Sequence, residues 1–138
     1  MGSSSNCLVH KMMSIVNNIK PGKVLDIGFG TGKYGYLIRE SCDLREGRNT
    51  KDQFTVLIDG IEIDTRWATP IHDFVYDNLY NADVRYIKMI DYDLVIMSDI
   101  LEHLDKKEGF EVVNKILKRC KYLLIQSPFG PLAALSYR

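Results

Sequence analysis

The run Val24-Leu25-Asp26-Ile27-Gly28-Phe29-Gly30-Thr31-Gly32 leaves a chain like this few folds to choose from. It starts as a short apolar strand, Lys23 to Ile27, and ends in alternating glycines. A helical pattern follows from Lys33 to Ser41, with Tyr36, Leu37 and Glu40 at helical spacing. Glycine adopts positive φ and lets a ligand approach the backbone closely. The helix behind it offers unpaired N–H groups. A strand that turns through glycine into a helix is where open α/β sheets bind ligands.

Three glycine-loop chemistries compete for this run. A phosphate-cradling loop needs GxxxxGK followed by Ser or Thr, but Tyr34 follows Lys33 and Ile27 stands where the first glycine belongs. A dinucleotide fingerprint, GxGxxG, matches Gly30 to Gly35 literally but begins late relative to the strand. An acid in the strand end followed by GxGxG matches better: Asp26 with Gly28, Gly30 and Gly32. The plain alternative for Asp26 is a turn-capping carboxylate.

The rest of the chain alternates in the same way. Leu8, Met12, Ile15, Val16 and Ile19 predict an amphipathic helix over Cys7 to Ile19, stopped by Pro21-Gly22. Asp43 to Gln53 is polar and reads as a flexible loop. Phe54 to Ile63 predicts a second strand, Pro70 to Leu79 a helix, and Asp83 to Ile87 a weak third strand. Tyr92 to Ser98 is nearly continuously apolar, as suits a strand buried on both faces. A helix over Lys107 to Arg119 and a fifth strand, Tyr122 to Gln126, complete the series. The expected fold is α/β: a single-domain, three-layer α-β-α sandwich with a mainly parallel sheet of about five strands. Residues 1–20 form an N-terminal helix and 129–138 a tail.

The 138 residues make one domain's worth of chain, and 18 basic residues balance 18 acidic ones. That balance gives no chain-wide footprint for nucleic acid or anionic membrane. Two local basic runs, Arg45, Arg48 and Lys51, and Lys115, Lys118, Arg119 and Lys121, read as solvated loop and helix end. The 3 cysteines have no metal-ligand spacing and read as reduced thiols, which predicts a cytoplasmic protein and no metal. No apolar run approaches the ~18 residues of a membrane span. His10 and Lys11 interrupt the run a signal peptide would need.

Two further segments carry candidate site residues. Glu62 ends the second strand, where a carboxylate can accept hydrogen bonds from both hydroxyls of a ribose; its plain alternative is a strand-end charge. Asp64 is the fallback for that role and otherwise reads as a cap of the following helix. In Ser98-Asp99-Ile100-Leu101-Glu102-His103, Asp99 and Glu102 have the spacing of a capping box, which makes Glu102 structural. His103 is a candidate general base, histidine being the side chain that titrates near neutral pH.

Val24 to Gly32 and Tyr92 to Leu104 together resemble motif I and the fourth-strand motif of the class I S-adenosylmethionine-dependent methyltransferases. The second resembles especially the members with an Asp-x-Leu-Glu-His core. The coarse likeness runs from about residue 20 to 128. It implies a methyltransferase with S-adenosylmethionine as cofactor and S-adenosylhomocysteine as product. By position, Asp26 would contact the amino-acid end, and Gly28, Phe29, Gly30 and Gly32 would lie along the methionine moiety. Glu62, with Ile63 beside it, would meet the ribose; Asp83 would accept from the adenine amino group, and the Val84 N–H would meet a ring nitrogen. Ser98, Asp99 and Ile100 would line the cleft beside the methyl group, with Asp99 and His103 as catalytic candidates. The chemistry needs alignment and water exclusion first, and a base only when the acceptor must lose a proton. Tyr34, Phe29 and Phe129 could hold the substrate or the sulfonium.

The family's sheet has seven strands, the last two an antiparallel hairpin, and only five can be placed here. The fifth would then be an exposed apolar edge. Three expectations follow: a homodimer covering that edge through it or through Leu132 to Tyr137, a fragment of a longer chain, or loss of the acceptor pocket. The leading expectation is methyl transfer to a small-molecule acceptor. A cofactor-binding module without catalysis is the alternative, and a nicotinamide oxidoreductase stands behind it.

Overall fold

The computed structural model describes residues 6–128 and the strand at 133–136. Helix α1 is Val9–Ile19; it buries Met12 and Val16 and ends on Lys20 in the left-handed conformation, before Pro21-Gly22. Strand β1, Lys23–Ile27, leads through the glycine turn into α2, Lys33–Cys42. Strand β2 is Leu57–Glu62, α3 is Pro70–Val75 and β3 is Asn78–Asn81. Strand β4, Tyr92–Ser98, is followed by a 3₁₀ turn at Leu101–His103, then α4, Lys106–Leu117, and β5, Cys120–Gln126. Strand β6 is Ala133–Ser136.

The strands form one sheet in the order β3-β2-β1-β4-β5-β6. The first five are parallel, as expected, and β6 runs antiparallel to β5. One face carries α1, α2 and α3 through Met12, Val16, Ile38 and Val75. The other carries α4 through Val112 and Ile116. Buried on both faces, β4 shows the apolar run that its sequence displays. The strand order reverses between β1 and β4, so a crevice opens there at the carboxyl ends of the strands.

Five expectations are corrected. The predicted third strand at Asp83 to Ile87 is a turn, in which the N–H groups of Tyr86 and Ile87 both reach the Asp83 carbonyl. The strand lies earlier, at Asn78–Asn81, inside what periodicity extends as a helix to Leu79. That helix stops at Val75 because Tyr76 turns into the core and Asp77 takes the Ile58 N–H at 2.7 Å. Leu79 instead pairs with Gly60, whose missing side chain makes room for it.

The polar Asp43 to Gln53 segment is anchored. Asp43 is fully buried and accepts from Arg39 (2.6 Å), Arg48 (2.7 Å) and both Thr55 donors (2.9 Å). These bonds hold its carboxyl well below the usual range, at about 2, against a burial that alone would raise it. Lys51 Nζ donates to the carbonyls of Asp73 and Tyr76, which closes the segment against the end of α3.

The Asp99 to Glu102 capping box does not form. Ile100 is the residue ahead of the 3₁₀ turn, with no side-chain cap, and Glu102 is exposed. The capping box stands at Asp105 and Glu108, which start α4. Finally, the β5 edge is paired by β6 and is not open, so the reason to expect a second copy along it falls away. The tail expectation for residues 132 and 137, and Phe129, lie outside the described residues.

The basic runs are largely spent on the fold. Lys115 donates to the carbonyls of Val84, Arg85 and Ile87, Arg119 pairs with Asp91, and Lys121 pairs with Asp93. Among the described residues no helix is long and apolar enough to cross a membrane, and no cluster of His, Cys, Asp and Glu could hold a metal ion.

Candidate functional site

The crevice at the switch point is a cleft of about 420 Å³. Its walls come from the glycine turn after β1, the end of β2, the Ala82 to Arg85 turn and the end of β4. Of the expected site residues, the structure brings Gly28, Phe29, Gly30, Glu62, Ile63, Asp83, Val84, Ser98, Asp99, Ile100 and His103 to this wall. Asp26 and Gly32 are not on it. Asp64, the fallback acid for the ribose, lines the cleft as well, and so do Thr31, Lys33 and Arg85, to which the sequence reading assigns no site role. Lys33 had a signal, standing directly after the third glycine, but its side chain had no assigned use.

The turn is held from behind. Gly28 sits at φ 72, and a Cβ there would lie 2.1 Å from Ile100 Cδ1. Only glycine fits both the conformation and the space. Gly30 and Gly32 also have positive φ. The Gly28 N–H donates to the Ile61 carbonyl at 2.7 Å, tying the turn to β2. Glu62 Oε2 accepts from the Gly30 N–H at 3.2 Å, while Oε1 accepts from the Ile63 N–H at 2.9 Å. Its carboxylate thus braces the turn and still borders the cleft, with lone pairs left for a hydroxyl pair.

His72, buried in the core, grips the carbonyl of the same glycine. The Thr69 N–H donates to its Nδ1 at 2.9 Å, so Nδ1 is an acceptor and Nε2 carries the proton. Nε2 then donates to the Gly30 carbonyl at 2.9 Å. Sequence patterning could not reveal this contact, which spans 42 positions of the chain.

Asp26 lies behind the turn, 2% exposed. Its Oδ2 accepts from Tyr76 Oη at 2.6 Å, and the Gly35 N–H also reaches it. Burial raises its carboxyl to about 6 despite these bonds. Burial also pushes the Tyr76 hydroxyl far up, with the Asp26 charge adding to the shift, so it stays protonated and keeps donating. Gly35 is required here by close approach: a Cβ would stand 2.4 Å from the Tyr76 ring and hydroxyl.

At the opposite wall, Asp83 is clasped by Arg85 through Nε, Nη2 and the backbone N–H, and Arg85 Nη1 reaches Glu108 at 2.8 Å. The hydrogen bond from Arg85 is the largest cause of the low Asp83 carboxyl. Asp64 caps the next 3₁₀ turn, as expected. His103 is exposed at the rim of the cleft. Tyr34 Oη donates to Gln126 Oε1 at 2.6 Å beneath the cleft. Ser98 Oγ and Asp99 Oδ1 are buried without a hydrogen-bond partner among the described residues. Asp99 also holds a left-handed backbone at φ 55.

No family model matches the sequence, and no curated protein is significantly similar to it. The fold does have relatives among solved structures. A sugar N-methyltransferase from a Streptoalloteichus species superposes with a TM-score of 0.66 at 16% identity, over 91% of this chain and 49% of that one. The chain has the class I methyltransferase fold. An S-adenosylmethionine-bound amino pentose methyltransferase from Micromonospora echinaspora gives 0.62 at 16%, over 88% and 51%. A plantazolicin methyltransferase solved with S-adenosylhomocysteine gives 0.57 at 15%, over 83% and 44%. This methyltransferase fold therefore spans about half the length of the structures it matches.

Proposed function

We propose that this chain is the S-adenosylmethionine-binding part of a methyltransferase acting on a small-molecule acceptor. The observation that carries the reading is the cleft itself. A positive-φ glycine turn and the carboxylate of Glu62 face the end of β4 across the strand-order switch point. Solved structures with the same fold hold S-adenosylmethionine or its product, and two are methyltransferases of sugars.

The residues present fit that cofactor. The glycine turn allows the thioether region to lie against backbone, and Glu62 accepts from ribose hydroxyls. Ile63, Val84 and Ala82 offer an apolar slot for a base, beside Asp83. Ser98 Oγ and Asp99 Oδ1, which have no hydrogen-bond partner among the described residues, border the same cleft. The cofactor brings an activated methyl group on a sulfonium, so the protein's share is alignment and exclusion of water. His103 at the rim is placed to take a proton from an acceptor that must lose one.

Calorimetric titration of S-adenosylhomocysteine into the chain tests this, alongside Glu62→Ala. Micromolar binding that weakens at least tenfold in the variant is the expected result, charged hydrogen bonds being worth ~1.5–3 kcal/mol. A folded chain that ignores S-adenosylhomocysteine and binds a nicotinamide dinucleotide would overturn it.

A further inference from the structure

Motif I resemblance gives the amino-acid end of the cofactor to Asp26, but that carboxylate is sealed behind the turn, off the cleft wall and already bonded to Tyr76 and Gly35. The cleft still contains a carboxylate suited to the task. Asp99 lines it, with Oδ1 buried and without a partner among the described residues, and the neighbouring Ser98 Oγ is in the same condition with its residue only 7% exposed. A buried polar group without a partner costs ~1–3 kcal/mol. Left-handed backbone at a non-glycine residue adds to the cost. Two such groups side by side in one cleft point to a ligand that supplies the missing donors.

Lys33 also lines the cleft. Its Nζ donates to Asn6 Oδ1 at 2.9 Å, and its charge and that of Asp99 act on each other. The cleft lining thus offers an anion, a hydroxyl and a cation. Opposite charges lining one cleft complement an α-amino acid zwitterion, which carries its ammonium and carboxylate on one carbon.

We infer that the amino-acid end of the cofactor is held by Asp99 and Ser98 at its ammonium and by Lys33 at its carboxylate, and that Asp26 is a positioning residue for the turn. The inference rests on the cofactor reading above, and binding measurements separate the two. The full chain is titrated with S-adenosylhomocysteine, its deamino analogue, which keeps the carboxylate, and methylthioadenosine, which lacks the whole amino-acid end. The native chain is expected to prefer S-adenosylhomocysteine to the deamino analogue by roughly tenfold to a hundredfold, the range for a hydrogen bond to a charged group. In Asp99→Asn that preference collapses to a few-fold while methylthioadenosine binds as before. In Asp26→Asn the preference persists. Lys33→Met weakens S-adenosylhomocysteine and leaves methylthioadenosine unchanged. A preference that survives Asp99→Asn, or disappears in Asp26→Asn, overturns the inference while leaving the cofactor reading intact. Failure of the folded native chain to bind both S-adenosylhomocysteine and methylthioadenosine overturns the cofactor reading, and the inference with it.

Discussion

Asp26 shows how far one buried carboxyl can bias the whole molecule. Its folded pKa of about 6 lies above the ordinary 3.8. An acid raised in this way holds its proton more tightly when folded. Its contribution to stability is therefore complete below 3.8 and is lost as the pH rises through about 6. At ~1.4 kcal/mol per pKa unit the loss is on the order of 3 kcal/mol. Asp26→Asn keeps an acceptor for Tyr76 and removes the titration. Urea unfolding of both forms between about pH 4.5 and 6.5 should show the native chain weakening relative to the variant. Parallel curves would mean that the carboxyl is not desolvated. Gly28 sets the other residue-scale limit. Gly28→Ala combines positive φ with a clash against Ile100, so it should cost ~1–3 kcal/mol and weaken S-adenosylhomocysteine more than tenfold, read by denaturation and calorimetry.

Among the elements, the segment after α2 is held by a buried ion network and not by a hydrophobic face. Arg39 is fully buried; it donates to Asp43, Asp77 and the carbonyls of Val56 and Val75, and its guanidinium lies 4.1 Å from the centre of the Phe54 ring. Removing one partner of a buried pair strands the other, at ~3–5 kcal/mol. Arg39→Met should therefore lower stability by about that amount. Hydrogen exchange in residues 43–53 should rise with it. An equally protected segment in the variant would show that Lys51 and Arg48 hold it unaided. Polarity alone reads this segment as a loose loop, because the arginine that anchors it lies on the preceding helix and its further partners are Val56 just before β2, Val75 at the end of α3 and Asp77 just after it. The same distance effect explains β3. Local periodicity continues the helix through Leu79, but the pairing of Leu79 with Gly60 and the inward turn of Tyr76 decide otherwise.

At the scale of the whole molecule, the sheet is protected on one side by β6, which pairs with β5 from Tyr122 to Ile125. Deleting the chain from Ala133 onward would expose a row of unpaired backbone groups beside an apolar strand, a template for pairing between copies. Light scattering should then show self-association that the longer chain lacks; a truncated monomer would mean that β6 does not protect the edge. The sequence by itself determined the alternation of strands and helices, the parallel sheet, the glycine turn and most of the cleft wall. These follow from periodicity and turn chemistry, which act over a few residues. Only the tertiary structure decided that Asp26 faces Tyr76 and not the cleft, that His72 clamps Gly30, that Arg85 occupies Asp83, and that Ser98 Oγ and Asp99 Oδ1 have no hydrogen-bond partner among the described residues. Each of these outcomes depends on which distant polar group is buried beside which. Burial turns ordinary carboxylates into one whose pKa is raised, one that is paired and one with an oxygen that has no partner among the described residues.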